Sequence, residues 1–306
     1  MKLEDLAKIR FGNAAGMIKI LEHVKTACRG AAMTDVTIGS ITVKERSGNI
    51  GDVYYYHPAE HWSVNALGIP NPGLTEYLKI FPEMKRRVHG AGKTMRVSVA
   101  GFSPDEFAHL AYECYECGVD EVELNLGCPH IWIEGERKPI FSYDPELTAQ
   151  VLDAVKQKIG REKYVAVKIS PIEDVGLLAR LSHAIEKSNI VNCIVASNTV
   201  PDQNKAREGG KPALKFKPNE NELEWKHAGG LAGAPLLKRT LNVIESLNEL
   251  LPYTKKFAVG GTFTGDDAMQ YLRQYVDGIQ CGTAYYEQGP KVFSDIQERL
   301  VEMLDR

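Results

Sequence analysis

Eight short segments of this chain run through apolar and β-branched residues without helical spacing, and each stops at Gly, Ser, Asn or Thr. They are DVTIG (35–39), SVNALG (63–68), MRVSVAG (95–101), EVELNLG (121–127), YVAVKIS (164–170), NCIVASNT (192–199), KKFAVGG (255–261) and DGIQCGT (277–283). Strands buried on both faces read this way, because neither face alternates with solvent. Amphipathic helical stretches lie between them, at 72–90, 103–117, 144–159, 174–187, 235–250, 265–274 and 290–303, with a further helix near 16–29 ahead of the first strand. Ser103-Pro-Asp-Glu and Asp144-Pro-Glu-Leu are helix-opening signals. The length of 306 residues leaves room for two medium domains or one large α/β barrel. Strand then helix, repeated eight times, predicts a single (β/α)8 TIM barrel over 1–306. A doubly wound open sheet is the other architecture with this alternation.

Two connections are too long for plain strand-to-helix loops. The first runs from His130 to Tyr143 and carries Ile131-Trp132-Ile133 followed by Glu-Gly-Glu-Arg-Lys, and the second runs from Val200 to Trp225. Alternation continues on either side of both, so they are expected to form a lid at the carboxyl-terminal face of the strands rather than linkers.

Charge and cysteine usage narrow the partners. Forty acidic residues against 37 basic ones give a net charge of -3 with no Lys/Arg run, which disfavours a nucleic acid. No apolar stretch reaches the roughly 18 to 20 residues that span a bilayer. The amino-terminal MKLEDLAKIRFGN puts charges where a signal peptide needs continuous apolar residues, so a soluble, cytoplasmic protein is expected. The six cysteines do not make a disulfide framework and read as reduced thiols. Cys114 and Cys117 form a lone C-x-x-C in a helical stretch, without the second pair that a metal or cluster site needs, so no metal is expected.

In a barrel the chemistry sits where strands end, and a phosphate often lies on the loops after strands seven and eight. Those loops read Gly260-Gly261-Thr262 and Gly282-Thr283. Glycine lets a backbone approach an anion and present N–H groups, although one Gly-Gly pair alone is also an ordinary tight turn. Amides gather at other strand ends: Asn65, Asn125 and Asn198, with His130 beyond the fourth strand and Thr199 after the sixth. Each amide offers a donor and an acceptor, which suits a planar ligand edged with carbonyl and N–H groups, whereas a single Asn is a common turn former. Lys168 closes an apolar strand, where it reads as a cation facing a ligand or as a snorkelling strand-end lysine. Cys128 precedes Pro129 in the loop after EVELNLG, where a thiol can serve as nucleophile, as base, or simply as a small inert residue.

The segments Gly12-Asn-Ala-Ala-Gly16, Ser40-Ile-Thr42 with Arg46-Ser-Gly-Asn49, Asn65-Ala-Leu-Gly-Ile-Pro-Asn71, Glu123-Leu-Asn-Leu-Gly-Cys-Pro129, Val167-Lys168, Gly229-Gly-Leu-Ala-Gly233, Val259-Gly-Gly261 and Gln280-Cys-Gly-Thr283 run in order over nearly the whole chain. Together they resemble the motifs of the class 1 dihydroorotate dehydrogenases. The resemblance implies FMN with its phosphate on Gly260, Gly261, Gly282 and Thr283 and with Gly230 nearby. Ala15, Gly16, Ser40, Asn125 and Asn198 would border the flavin, and Lys168 would stand beside its ring system. It implies Cys128 as the base while a hydride passes to the flavin. Asn65, Leu67, Gly68, Asn125, His130, Asn198 and Thr199 would hold the substrate.

The same resemblance implies a homodimer in pyrimidine biosynthesis with a soluble electron acceptor, for which class 1A suggests fumarate. Three positions depart from the family pattern. Gly39 stands where the family has a lysine before Ser-x-Thr, His130 where it has an asparagine after Cys-Pro, and Val53 where it has an arginine. These departures leave open a family paralogue acting on a different substrate. A non-redox barrel enzyme on a phosphorylated metabolite, needing only the glycine loops, and a flavin-binding protein without catalysis are the readings from other classes.

Overall fold

The computed structural model describes residues 3–129, 131–133 and 136–305. Eight parallel strands close into a barrel: β1 (Arg10–Asn13), β2 (Asp35–Ile41), β3 (Thr94–Val99), β4 (Glu121–Asn125), β5 (Tyr164–Ile169), β6 (Val191–Ala196), β7 (Lys255–Val259) and β8 (Gly278–Cys281). Around the barrel the order is β1-β8-β7-β6-β5-β4-β3-β2, so every strand neighbours its chain successor and β8 closes on β1. Eight helices alternate with them: α1 (Leu21–Cys28), α2 (Leu74–Gly90), α3 (Pro104–Glu116), α4 (Pro145–Ile159), α5 (Val175–Ser188), α6 (Leu237–Leu250), α7 (Gly265–Leu272) and α8 (Lys291–Leu304). This is the expected (β/α)8 barrel. The expected helix starts are set by side-chain caps: Ser103, Asp144 and Asp174 accept from the third helical N–H, and Thr264 and Asp267 form a capping box.

One expected barrel strand lies elsewhere. Trp62–Asn65 belongs to a separate sheet in the order Val200–Gln203, Gly229–Gly233, Trp62–Asn65, Tyr54–His57. Val64 is fully buried there with Trp62, Leu231 and Phe216, so the segment is as apolar as a barrel strand without being one. The first barrel strand is instead RFGN, only four residues with a charged first position. Gly12 is required in it because a Cβ would stand 2.8 Å from the Asp35 carbonyl oxygen of β2. Arg10 is explained by the amino-terminal mouth of the barrel, where it ion-pairs with Asp35 and Glu121. Arg96, completely buried, meets the same Glu121 carboxylate over 2.6 Å and lies 4.6 Å from the centroid of the Phe257 ring. A buried charge needs such partners.

The helix expected near 16–29 begins only at Leu21, because the segment before it is tied to the end of β2. Gly16 N–H donates to the Gly39 carbonyl, and Gly39 N–H donates back to the Ile18 carbonyl over 2.9 Å. Three connections, not two, cover the carboxyl-terminal ends of the strands. After β2 the chain forms Ile50–Asp52, Tyr54–His57 and Trp62–Asn65. After β4, Trp132–Ile133 pairs with Glu136–Arg137 as a hairpin. After β6, Lys215–Lys217 pairs with Ile50–Asp52, which joins the first connection to the third.

Candidate functional site

The strand ends and the added sheet enclose a cavity with about 1180 Å³ of space counted out to its mouth. Ala15, Gly16, Ser40, Asn65, Leu67, Gly68, Asn125, Cys128, Lys168, Asn198, Thr199, Gly260, Gly261, Gly282 and Thr283 all line it. Residues from seven strand ends and from the added sheet thus meet in one space. Gly230 is not among the lining residues. Its carbonyl accepts from Asn65 Nδ2 over 3.3 Å, and a Cβ on it would collide with Thr199 Oγ1 at 2.1 Å, so it packs behind two of the lining residues. His130 lies outside the described residues.

At the β7 and β8 end, Gly260 and Gly261 take positive φ values of 149° and 73°. A Cβ on Gly261 would stand 2.7 Å from Leu237 Cβ, whereas one on Gly282 would meet only Ala14 Cβ, at 3.6 Å. The backbone N–H groups of Gly260, Gly261, Gly282 and Thr283 donate to no atom of the described chain. Four unspent donors around a shared space suit a phosphate.

The amides form a relay. Asn125 Nδ2 donates to Ser40 Oγ over 2.8 Å, Ser40 Oγ meets Ser98 Oγ at 2.9 Å, and Asn198 Nδ2 donates to Asn125 Oδ1 over 3.0 Å. Asn198 Oδ1 accepts in turn from Thr199 N–H over 2.8 Å. One amide hydrogen on each of Asn125 and Asn198 remains for a ligand. Asn65 approaches from the added sheet, and its loop is fastened from behind by Asn49, whose Nδ2 donates to Ala66 O over 2.7 Å, and by Arg46, whose Nε donates to Gly68 O over 2.9 Å.

Two titratable groups singled out by the sequence, Lys168 and Cys128, line this cavity. Lys168 is buried, and its ammonium makes no hydrogen bond or ion pair among the described residues. Burial holds its pKa below the ordinary lysine range, and the Glu123 carboxylate and the Cys128 thiol pull it the other way. Burial pushes the Cys128 thiol up to about 11, against the opposing pull of Lys168, Arg46 and Lys19. Among the described residues the thiol's one hydrogen bond is long, 3.6 Å to the Pro129 carbonyl.

Sequence reasoning gave no individual role to Lys19, Ser63, Thr262 or Gln280, which also line the cavity. Ser63 Oγ meets Thr283 Oγ1 at 2.9 Å, while Thr262 Oγ1 and Gln280 Oε1 are buried without a hydrogen-bond partner among the described residues. Lys19 went unseen because its strand, RFGN, carries no apolar run; with that strand recognised, 14–19 becomes a loop at the catalytic face. Among the described residues no cluster of His, Cys, Asp or Glu is disposed to hold a metal ion, and no helix is long and apolar enough to cross a membrane.

Comparison with known proteins bears on this cavity. The sequence model of the dihydroorotate dehydrogenase family matches residues 7–304. The chain is 29% identical over 307 aligned positions to the dihydroorotate dehydrogenase (fumarate) of Lachancea kluyveri, covering 97% of this chain and 90% of that protein. It is 28% identical to the dihydroorotate dehydrogenase A (fumarate) of Lactococcus lactis, with the same coverage of 97% and 90%. It is 30% identical to the catalytic subunit of dihydroorotate dehydrogenase B (NAD(+)) of Thermoplasma volcanium, covering 90% and 82%. In fold it resembles the crystal structure of a dihydroorotate dehydrogenase from Eimeria tenella in complex with ferulenol, with a TM-score of 0.79 and 17% identity over 96% of this chain and 81% of that one. With its barrel closed as that fold requires and the family sequence pattern spanning nearly its whole length, the chain belongs to the dihydroorotate dehydrogenase family, whose members are flavin-dependent oxidoreductases.

Proposed function

We propose that residues 1–306 act as one FMN-binding domain that oxidises dihydroorotate to orotate and passes the electrons to a soluble small-molecule acceptor. The observation that carries this reading is the meeting, in one cavity, of the Cys128 thiol, the unpaired Lys168 ammonium and the unspent N–H groups of Gly260, Gly261, Gly282 and Thr283. The four N–H groups fit the phosphate of a flavin mononucleotide, and a buried ammonium with no hydrogen bond or ion pair among the described residues fits an electron-rich ring. Ala15, Gly16 and Ser40 then border the ring system from the β1 and β2 side.

When bound, FMN supplies the acceptor for the hydride that leaves one ring carbon of the substrate. Cys128, in its thiolate form, takes the proton from the neighbouring carbon, so the ring gains a C=C bond and the thiol so formed returns that proton to solvent. The Lys168 charge favours the electron-rich state of the site. Asn125 and Asn198, oriented by their mutual bond and by Ser40, present N–H donors to the ring carbonyls, and Asn65, with the backbone of Leu67 and Gly68, closes the opposite edge. Thr199 completes that shell, and His130 remains a substrate-contact candidate from the sequence alone. The relatives from Lachancea kluyveri and Lactococcus lactis are named for fumarate, which makes fumarate the first acceptor to assay. A cytoplasmic homodimer is part of the same reading, and light scattering of the purified protein tests the dimer.

The decisive experiment mixes purified protein with dihydroorotate under anaerobic conditions. Yellow protein that releases FMN on denaturation and bleaches on mixing is the expected result. Colourless protein with no releasable flavin overturns the cofactor, and a bound flavin that dihydroorotate does not bleach overturns the substrate.

A further inference from the structure

Lys19 is the cation of this cavity whose place in the reaction is still unassigned. It belongs to the loop after β1 and lines the cavity wall. Among the described residues its ammonium makes one hydrogen bond, to the Pro70 carbonyl over 2.8 Å, and no ion pair. Burial lowers its pKa, and Cys128, when ionised, pulls it back up. Lys168 differs, since Glu123 lies close enough to offset it. Arg46 differs too, with its Nε given to Gly68 O and its guanidinium 5.2 Å from the centroid of the Phe102 ring.

The backbone beside Pro70 points to the same ligand chemistry. The N–H groups of Leu67, Gly68 and Ile69 donate to no atom of the described chain, and Gly68 and Ile69 take successive positive φ values of 72° and 56°. Consecutive N–H groups in such a turn form an anion-binding concavity. All three residues line the cavity, as Cys128 does. A lysine and an unspent run of backbone donors therefore flank the thiol.

Gly39 explains why this charge comes from the β1 loop and not from the end of β2. At Gly39 φ is 105°, and a Cβ would stand 2.5 Å from the Ser98 carbonyl oxygen, so this strand end has no room for a side chain. The same glycine accepts from Gly16 and donates to Ile18, which fastens the loop carrying Lys19 against the strand.

We propose that Lys19, together with the backbone N–H groups of Leu67, Gly68 and Ile69, binds the carboxylate of the substrate and so selects an anionic ring over its neutral counterpart. This rests on the reading of the cavity as a pyrimidine-carboxylate site.

The test uses the flavin-loaded protein and calorimetric titration with orotate and with uracil, which lacks the carboxylate, for the natural chain, Lys19→Gln and Lys19→Arg. The natural chain binds orotate at least tenfold more tightly than uracil. Lys19→Gln loses tenfold to a hundredfold in orotate affinity, keeps its uracil affinity and melting temperature, and raises KM for dihydroorotate more than it lowers kcat. Lys19→Arg retains most of the preference. Unchanged orotate binding in Lys19→Gln, or equal losses for orotate and uracil, overturns the assignment while leaving dihydroorotate turnover by the natural chain intact. Lys19-dependent orotate binding without bleaching by dihydroorotate supports the assignment and defeats the proposed reaction. A natural chain that binds no orotate defeats both.

Discussion

Asn198 donates its side-chain N–H to the Asn125 carbonyl oxygen over 3.0 Å, so the amides supplied by β4 and by the loop after β6 are oriented as one unit. Asn125 is held in turn by Ser40, and Asn198 by the Thr199 N–H. Groups that share a hydrogen bond do not contribute independently. Asn125→Ala and Asn198→Ala should each weaken orotate binding by about tenfold or more, and the double variant should cost less than the two single losses combined, with a coupling of roughly 0.5 to 3 kcal/mol. Calorimetric titration of the four proteins checks this. Additive losses would mean that the two amides meet the ligand separately.

The Cys128 thiol, pushed up to about 11 by burial, is almost wholly protonated at neutral pH. Reactivity requires the thiolate, so alkylation of Cys128 by iodoacetamide should rise about tenfold per pH unit between pH 7 and 9, followed by peptide mass spectrometry. Lys168 and Lys19 both lower that pKa, so Lys168→Gln or Lys19→Gln should slow alkylation at a given pH. Cys128→Ala should keep its flavin and slow flavin reduction by about 10² or more, measured by anaerobic stopped flow. A pH-independent alkylation rate, or an unchanged reduction rate in Cys128→Ala, would remove the thiol from the proton-transfer step.

The architecture was legible because most barrel strands are buried on both faces and carry that fact as apolar runs, VAVKI in β5 being an example. The same signal misled at 63–68, since Val64 is as buried in the added sheet as any barrel residue, and period-free apolarity does not say which sheet buries it. It failed at β1, where Arg10 serves the charge layer at the barrel mouth and Gly12 serves the close approach to β2, leaving Phe11 as the one large apolar residue. That loss carried Lys19 with it. Asn125, Cys128, Lys168 and the glycine pairs were readable because each sits at a strand end, a position that sequence order alone conveys. The fastening of 14–19 onto Gly39 was not readable, because it depends on backbone hydrogen bonds between segments some twenty residues apart.

Restoring a lysine at position 39 tests the account of that glycine. Gly39→Lys places a Cβ at a φ of 105° and 2.5 Å from a backbone oxygen that cannot move without moving β3. A side chain forced into such a conformation costs about 1 to 3 kcal/mol, before the clash is counted. Gly39→Lys and Gly39→Ala should both lower the denaturant midpoint, and the lysine should not raise orotate affinity. A stable Gly39→Lys protein with tighter orotate binding would show that the strand end accommodates a cation after all.

Two glycines of the candidate phosphate loops separate fold from ligand binding. At Gly261 a methyl would meet Leu237 Cβ at 2.7 Å and Leu237 N at 2.9 Å, and φ is 73°, so Gly261→Ala should destabilise the chain by about 1 to 2 kcal/mol from backbone strain alone. At Gly282 φ is -102°, and the nearest atom to an added methyl is Ala14 Cβ at 3.6 Å, an ordinary contact. Gly282→Ala should therefore leave stability within about 0.5 kcal/mol. Its methyl would nonetheless occupy space at the cavity wall beside the unspent N–H groups, where the close approach of a phosphate requires a bare backbone. Fluorescence titration of FMN into the flavin-free protein should show Gly282→Ala binding at least tenfold more weakly with an unchanged melting temperature. Equal FMN affinity in Gly282→Ala and the natural chain would move the phosphate away from the β8 loop.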